Sequence, residues 1–207
     1  MAYQSEQELE NNLVAQLVKG NFEKVAITDV KSLRANLKKQ LSKQNGFDIS
    51  DSELKQIRNA LSKGNVFDKA KTLRDRLQIN KDDGTVGYVR FLDDDFSKNH
   101  FQVTQQVTVE GHYKNRYDVT LLVNGLPLVQ IELKRRGLEM KEAFNQINRY
   151  QRHSFGAKSA LFQYVQIFVI SNGVNTKYYA NNRHQSFKQT FFWTNKENKR
   201  LTNILNG

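Results

Sequence analysis

Residues 116–137 read RYDVTLLVNGLPLVQIELKRRG, and the side-chain alternation in this stretch decides the fold. Two β-rich runs, Tyr117–Val123 and Pro127–Arg135, flank Asn124-Gly125, a strong hairpin signal. Successive strand side chains point to opposite faces. Val119, Leu121 and Val123 therefore share one face of the first strand, with Asp118 and Thr120 on the other. On the second, Val129, Ile131 and Leu133 oppose Gln130, Glu132 and Lys134. A strict two-residue turn would pair Asp118 with Ile131, mixing the apolar sets and separating Asp118 from Glu132. A three-residue loop, Val123 to Gly125 with a bulge, pairs Leu122 with Leu126 and Asp118 with Gln130, diagonal to Glu132. The apolar pattern thus selects an odd loop or a bulge.

Working outward, the chain before this hairpin reads as helical. Ser5 and Glu8 form a capping box ahead of Leu9, Leu13, Val14 and Leu17, and Gly20 stops that helix. Val25–Thr28 reads as a short strand. Asp29 caps a second helix (Val30, Leu33, Leu37, Leu41) ended by Asn45-Gly46. Ser50 and Glu53 box a third, through Leu54, Ile57 and Leu61, broken at Gly64-Asn65. Val66, Ala70, Leu73 and Leu77 mark a fourth. Their outer faces carry basic residues such as Lys31, Arg34, Lys38, Lys39, Lys43, Arg58 and Lys69, as a solvated face or a phosphate-tracking one.

The character changes near residue 80. Asp82-Asp83-Gly84 is a turn, and Val86–Phe91 and Phe101–Val109 read as strands. Beyond the hairpin, Glu139–Arg152 is helical, Tyr164–Ile170 suits a buried central strand, and Thr176–Ala180 is a further strand after Asn172-Gly173. The order implies an α/β or α+β chain, with a mixed central sheet flanked by helices.

Composition excludes much. The chain has 207 residues, long enough for one large domain or two small ones, and 38% hydrophobic residues, too apolar for disorder. It has no cysteine, which rules out disulfides, thiolate zinc sites and thiol catalysis and fits the cytoplasm. No apolar run approaches the roughly 20 residues of a membrane span. The N-terminus, MAYQSEQELE, lacks the basic and apolar regions of a secretory signal. Thirty-two Lys+Arg against 21 Asp+Glu give a net charge of +11, which draws polyanions, nucleic acid above all.

With the hairpin in register, two carboxylates and an amine converge. Asp118 and Glu132 suit a hard divalent cation such as Mg²⁺, which prefers oxygen ligands and keeps waters. Such an ion lowers the pKa of a bound water and neutralises charge on a phosphate. Lys134 points to the same side, where it would orient the water or stabilise the phosphorane. The same spacing also fits a half-exposed hairpin in which Glu132 merely pairs with Lys134 or Arg135.

A resemblance goes further. Asp118 followed by Glu132-Leu133-Lys134 resembles the PD-(D/E)xK nuclease signature. NGLPLVQIELK, preceded by RYD and NHFQVTQQVTVEG, is similar to the N-terminal nuclease domain of the restriction (R) subunit of type I restriction–modification enzymes. The likeness runs from SEQELE to SNGVNTKYYA. It implies a restriction-endonuclease-like core, with Asp118 and Glu132 as metal-binding carboxylates and Lys134 as the catalytic lysine. Gln146 and Tyr150 match the QxxxY motif of RecB-like relatives, four apart on one helix face, to meet DNA or brace the site. Glu6 sits where such nucleases bring an additional acid, though it also favours a helix N-terminus. Many relatives have proline where this chain has Tyr117.

The resemblance further implies Mg²⁺, with Mn²⁺ as substitute, double-stranded DNA as substrate, and methylation and specificity subunits as partners. It implies non-specific cleavage, after ATP-driven translocation, in a bacterial or archaeal cytoplasm. No G-x-x-x-x-G-K-[ST] occurs, so the motor's ATP site is not in this chain. The chain then reads as one endonuclease domain, 1–207: a mainly helical part (1–80), the nuclease core (81–180), and a C-terminal segment (181–207) leading to the motor, or else as a stand-alone relative. Two rival readings are a non-catalytic DNA-binding or docking module and a stand-alone RecB-like repair nuclease. Asp93-Asp94-Asp95 reads as a turn, and His100, His112, His153 and His184 lack zinc spacing. Phe191, Phe192 and Trp193 would stack on bases or be buried.

Overall fold

The computed structural model describes residues 4–110, 114–153, 161–182 and 184–201. His112 lies outside them, as does the side chain of His153. Among the described residues there are five α-helices and nine strands: α1 (Glu6–Lys19), β1 (Glu23–Lys24), α2 (Val30–Asn45), α3 (Asp51–Leu61), α4 (Val66–Arg74), β2 (Arg76–Asn80), β3 (Val86–Arg90), β4 (Phe101–Glu110), β5 (Lys114–Val123), β6 (Leu126–Leu133), α5 (Met140–His153), β7 (Ile167–Ser171), β8 (Thr176–Ala180) and β9 (Phe191–Phe192). Short 3₁₀ turns cover Phe96–Lys98, Leu161–Tyr164 and Phe187–Gln189. Seven strands form one mixed sheet in the order β1-β4-β5-β6-β7-β8-β9, parallel at β1–β4 and β6–β7; β2 and β3 pair separately. Among the described residues no helix is long and apolar enough to cross a membrane.

The first three helices start where their capping residues say. Ser5, Asp29 and Ser50 each accept from the backbone N–H three residues on, and Gly46 ends α2 at φ +72°. Their apolar stripes then divide between the sheet's two faces. Leu9, Leu13 and Val14 of α1 pack with Val103, Val119, Ile131, Leu133 and Val169. The larger core lies opposite, where α2, α3, α4 and α5 contribute residues such as Leu37, Ile57, Leu73 and Ile147 against Leu122, Phe168 and Ile170. The hairpin is therefore covered on both faces. The face that carries Thr120, Gln130 and Glu132 is buried, not half-exposed.

The turn departs from the expected three-residue loop. Val123 pairs with Leu126 across a two-residue turn, with Asn124 at φ +49° and Gly125 at φ +82°. Leu128 then has no ladder partner: Leu122 faces Pro127 and Leu121 faces Val129. That bulge restores the side-chain phase a two-residue turn would lose. The ladder ends at Val119↔Ile131, with Gln130 paired to Thr120 and not to Asp118, and Asp118 lies just beyond it beside Glu132. The two-residue turn wins because Asn124 is buried in it. Its amide donates to Phe91 O and Asn99 Oδ1, and its Oδ1 accepts from His100 N.

Three other expectations shift. The first strand is Glu23–Lys24, set by parallel pairing with β4, rather than Val25–Thr28. The fourth helix stops at Arg74, and Leu77 lies on β2, whose ladder with β3 takes over. Lys69 is buried, its ammonium on Gly64 O, and is not on an outer face.

Candidate active site

The polar row on the hairpin's buried face separates into satisfied and unsatisfied members. Thr120 Oγ1 donates to Gln130 Oε1 (2.7 Å), and Gln130 Nε2 donates to Ile131 O. These two groups close on each other. Glu132 is fully buried, yet neither carboxylate oxygen accepts from an N–H or hydroxyl donor; its one hydrogen-bonding neighbour is the Asp118 carboxyl. Its nearest cation is Lys134, Nζ 3.9 Å from Oε1. Desolvation pushes the Glu132 carboxyl well above the usual range, and the Asp118 charge pushes the same way. A buried carboxylate without donors costs several kcal/mol on the usual scale.

Asp118 stands beside it where the β5–β6 ladder ends. The N–H of Lys134 donates to Ser171 O on β7, so the preceding N–H, of Leu133, faces β5. Asp118 Oδ2 accepts it at 2.8 Å. Burial raises the Asp118 carboxyl; the Leu133 hydrogen bond and Lys134 act against that.

Helix α1 brings two more acids. Glu6 Oε1 accepts from Arg135 N (3.2 Å), and its Oε2 lies 3.9 Å from Lys134 Nζ. Lys134 thus stands between Glu6 and Glu132. Glu10, one turn on, was not anticipated. It is only 4% exposed, and burial raises its carboxyl to about 7, with Asp118 adding to the rise and a hydrogen bond from Gln106 opposing it. The signal was in the sequence: Glu10 lies four before Val14 and three before Leu13, inside the stripe that packs on the sheet.

Gln146 and Tyr150 lie on α5 next to this group. Gln146 Nε2 donates to the Tyr150 hydroxyl, which donates to Arg116 O (3.1 Å), two residues before Asp118. The Tyr150 ring stacks edge-on against Tyr117, centroids 4.7 Å apart. Burial, then the Glu132 charge, drives the Tyr150 hydroxyl upward, so it stays a neutral donor.

Among the described residues no three acidic or histidine side chains converge closely enough to hold a cation alone. The donor set still fits one. Two neighbouring carboxylates, one without an N–H or hydroxyl donor on either oxygen, suit an ion that takes one or two carboxylates and completes its shell with water and substrate phosphate. Asp93 pairs with Arg90, and Asp95 caps the Phe96–Lys98 turn. His100 meets Glu23. None of these joins the site.

Electrostatics make the metal-free site pH-sensitive. For Glu10 the folded pKa exceeds the unfolded one, so its stabilising effect is complete below about 4.5 and is lost as pH rises through about 7. Denaturant titrations in EDTA are expected to show stability falling between pH 5 and pH 8, by on the order of 3 kcal/mol for this group. Glu10→Gln should flatten that slope. An unchanged slope would place the titration elsewhere.

Comparison with known proteins gives the family. The family described as "Type I restriction enzyme R protein N terminus" matches residues 3–187. The Staphylococcus aureus (strain MSSA476) type I restriction enzyme SauMSSORF170P endonuclease subunit is 44% identical over 99% of this chain. The match covers 22% of that relative, so the chain spans about a fifth of its length. The Escherichia coli type I restriction enzyme EcoprrI endonuclease subunit is 38% identical over 98% of this chain and 68% of its own. A putative type I restriction enzyme endonuclease subunit from Methanocaldococcus jannaschii, MjaVIIIP, is 33% identical over 60% of the chain. The chain belongs to the family of type I restriction enzyme R protein N termini.

Proposed function

We propose that this chain is the endonuclease domain of a type I restriction enzyme R subunit, hydrolysing DNA phosphodiester bonds with Mg²⁺. The observation that carries the reading is the buried Glu132 carboxylate, beside the Asp118 carboxyl and without an N–H or hydroxyl donor. A fold tolerates such a group when it serves a site.

Asp118 and Glu132 would hold the cation, with Mn²⁺ as a substitute. When bound, the ion supplies an activated water and charge neutralisation at the phosphate. The residues do the rest. Asp118 is fixed by the Leu133 N–H, so one oxygen stays oriented. Lys134, largely buried between Glu6 and Glu132, directs its ammonium to where water attacks or charge develops on the phosphorane. Glu6 holds the Lys134-Arg135 backbone in place. Gln146 and Tyr150 brace β5 behind Asp118 rather than reaching out to DNA. Cleavage would leave 3′-hydroxyl and 5′-phosphate ends.

The substrate is double-stranded DNA, cut at positions these residues do not specify, after ATP-driven translocation by a motor outside this sequence. Methylation and specificity subunits are the partners, in a bacterial or archaeal cytoplasm. Residues 1–207 act as one domain. α1 and α2–α4 cover opposite faces of one sheet, which supports treating the helical part and the nuclease core as a unit.

The test uses the full-length subunit assembled with its partners. Asp118→Asn and Lys134→Ala are each expected to lower cleavage by about a hundredfold or more, with DNA binding and ATP hydrolysis retained. Unchanged cleavage would favour a non-catalytic docking module. Cleavage by the wild-type chain without ATP or partners would favour a stand-alone repair nuclease.

A further inference from the structure

Gln106 is the one residue of β4 with positive φ, at +60°. A non-glycine residue there costs about 1 kcal/mol or more and persists only where its surroundings enforce it. It lies opposite Asp118: Gln105 pairs with Val119 and Val107 with Tyr117, and the pair between them is missing from the ladder.

The consequence is a change of face. Val103 belongs to the core under α1, whereas Val107 and Val109, of the same parity, belong to the opposite core. Alternation breaks at Gln106, so two successive glutamines both reach α1. Gln105 Nε2 donates to Asn11 Oδ1 (3.1 Å), and Gln106 Nε2 donates to Glu10 Oε2 (2.5 Å). A carboxylate acceptor fixes the amide's orientation, which leaves Gln106 Oε1 buried and without a partner. A regular strand would send the Gln106 side chain to the other face, away from Glu10.

We propose that Gln106 is a positioning residue: its strained backbone turns the amide onto Glu10 and holds that carboxylate beside Asp118 and Glu132, toward the water shell of the bound cation. The proposal rests on the nuclease reading above. It assigns a purpose to three otherwise costly features at one place: a left-handed residue in mid-strand, a buried glutamate, and an orphaned amide oxygen. Groups that orient a metal site from behind its ligands are worth about ten- to a hundredfold in metal affinity.

The experiment is Mn²⁺ titration of the 207-residue chain by calorimetry, with five variants. Gln106→Gly keeps the backbone conformation without strain and deletes the amide. Gln106→Asn keeps tolerance of positive φ but is one methylene too short to reach Glu10. Both are expected to weaken Mn²⁺ binding about tenfold while melting in EDTA no earlier than the parent. Glu10→Gln should weaken binding to a similar degree, and the Glu10→Gln/Gln106→Gly double variant no further, because one acts through the other. Unaltered Mn²⁺ affinity in Gln106→Gly, or losses that add in the double variant, would overturn the assignment. A parent chain whose Mn²⁺ binding survives Glu132→Gln would overturn the nuclease reading itself, a separate outcome.

Discussion

Glu132→Gln is expected to make the metal-free protein more stable and the assembled enzyme inactive. Both effects follow from one observation: a fully buried carboxylate with no N–H or hydroxyl donor, set against a second acid. At neutral pH the folded state either carries that charge at a desolvation cost or holds a proton against the solution. Its raised folded pKa means that the group's favourable effect is complete below the ordinary glutamate value and is lost as pH rises. Gln keeps the shape and removes the titration. Denaturant titration in EDTA at pH 8 should show a gain of about 1–3 kcal/mol over the parent. Mn²⁺, which should raise the parent's stability by mass action, should leave this variant unmoved. Cleavage by the assembled enzyme should fall about a thousandfold, since the variant loses a cation ligand rather than a supporting contact. If Glu132→Gln proves less stable than the parent without metal, Lys134 and its surroundings already satisfy the carboxylate, and the site is an ordinary buried charge cluster.

How much of this was legible in sequence depended on how local the cause was. The starts of α1, α2 and α3 were readable because Ser5, Asp29 and Ser50 satisfy N–H groups only three residues away. The pairing of apolar faces in the hairpin was readable for the same reason, and it demanded a bulge or an odd loop. What it could not choose was where the extra residue goes. That depends on Asn124, whose partners Phe91, Asn99 and His100 come from distant positions. β1 and β2 were misplaced because neither has a pattern of its own. Glu23-Lys24 becomes a strand through β4, and Leu77 continues the apolar stripe of α4 until pairing with β3 draws it away. At the site, Lys134 stands 3.9 Å from both Glu6 and Glu132, and Asp118 lies beside Glu132; these four were named from the resemblance. Glu10 escaped because an acid in an amphipathic stripe looks like a flaw in the pattern until the sheet beneath it is known to carry Asp118. Gln106 escaped because nothing local marks a glutamine for positive φ.

The register that brings Asp118 beside Glu132 also predicts a large, position-specific effect at the turn. Gly125→Ala is expected to destabilise the protein by about 3 kcal/mol, whereas Gly84→Ala should cost only about 1 kcal/mol. Both glycines have nearly the same backbone, φ +82° and φ +83°, so the left-handed penalty cancels in the comparison. Their surroundings differ. A methyl group at Gly84 meets nothing within 4 Å, but at Gly125 it would lie 2.8 Å from Leu37 Cα and 3.2 Å from Gln40 Cβ. The first of those atoms is helix backbone and cannot swing aside. Either α2 lifts off the hairpin, exposing Leu33, Leu37 and Leu41, or the turn shifts and takes the Leu128 bulge with it. The second response reaches the site, because a one-residue slip in β6 exchanges its faces and removes Glu132 from Asp118. Urea midpoints of the two variants test the packing, and Mn²⁺ titration of Gly125→Ala tests the register. Gly84→Ala should bind Mn²⁺ as the parent does. Equal losses of stability at the two glycines would show that α2 does not clamp the turn, and the two-residue turn with its bulge would then need another origin.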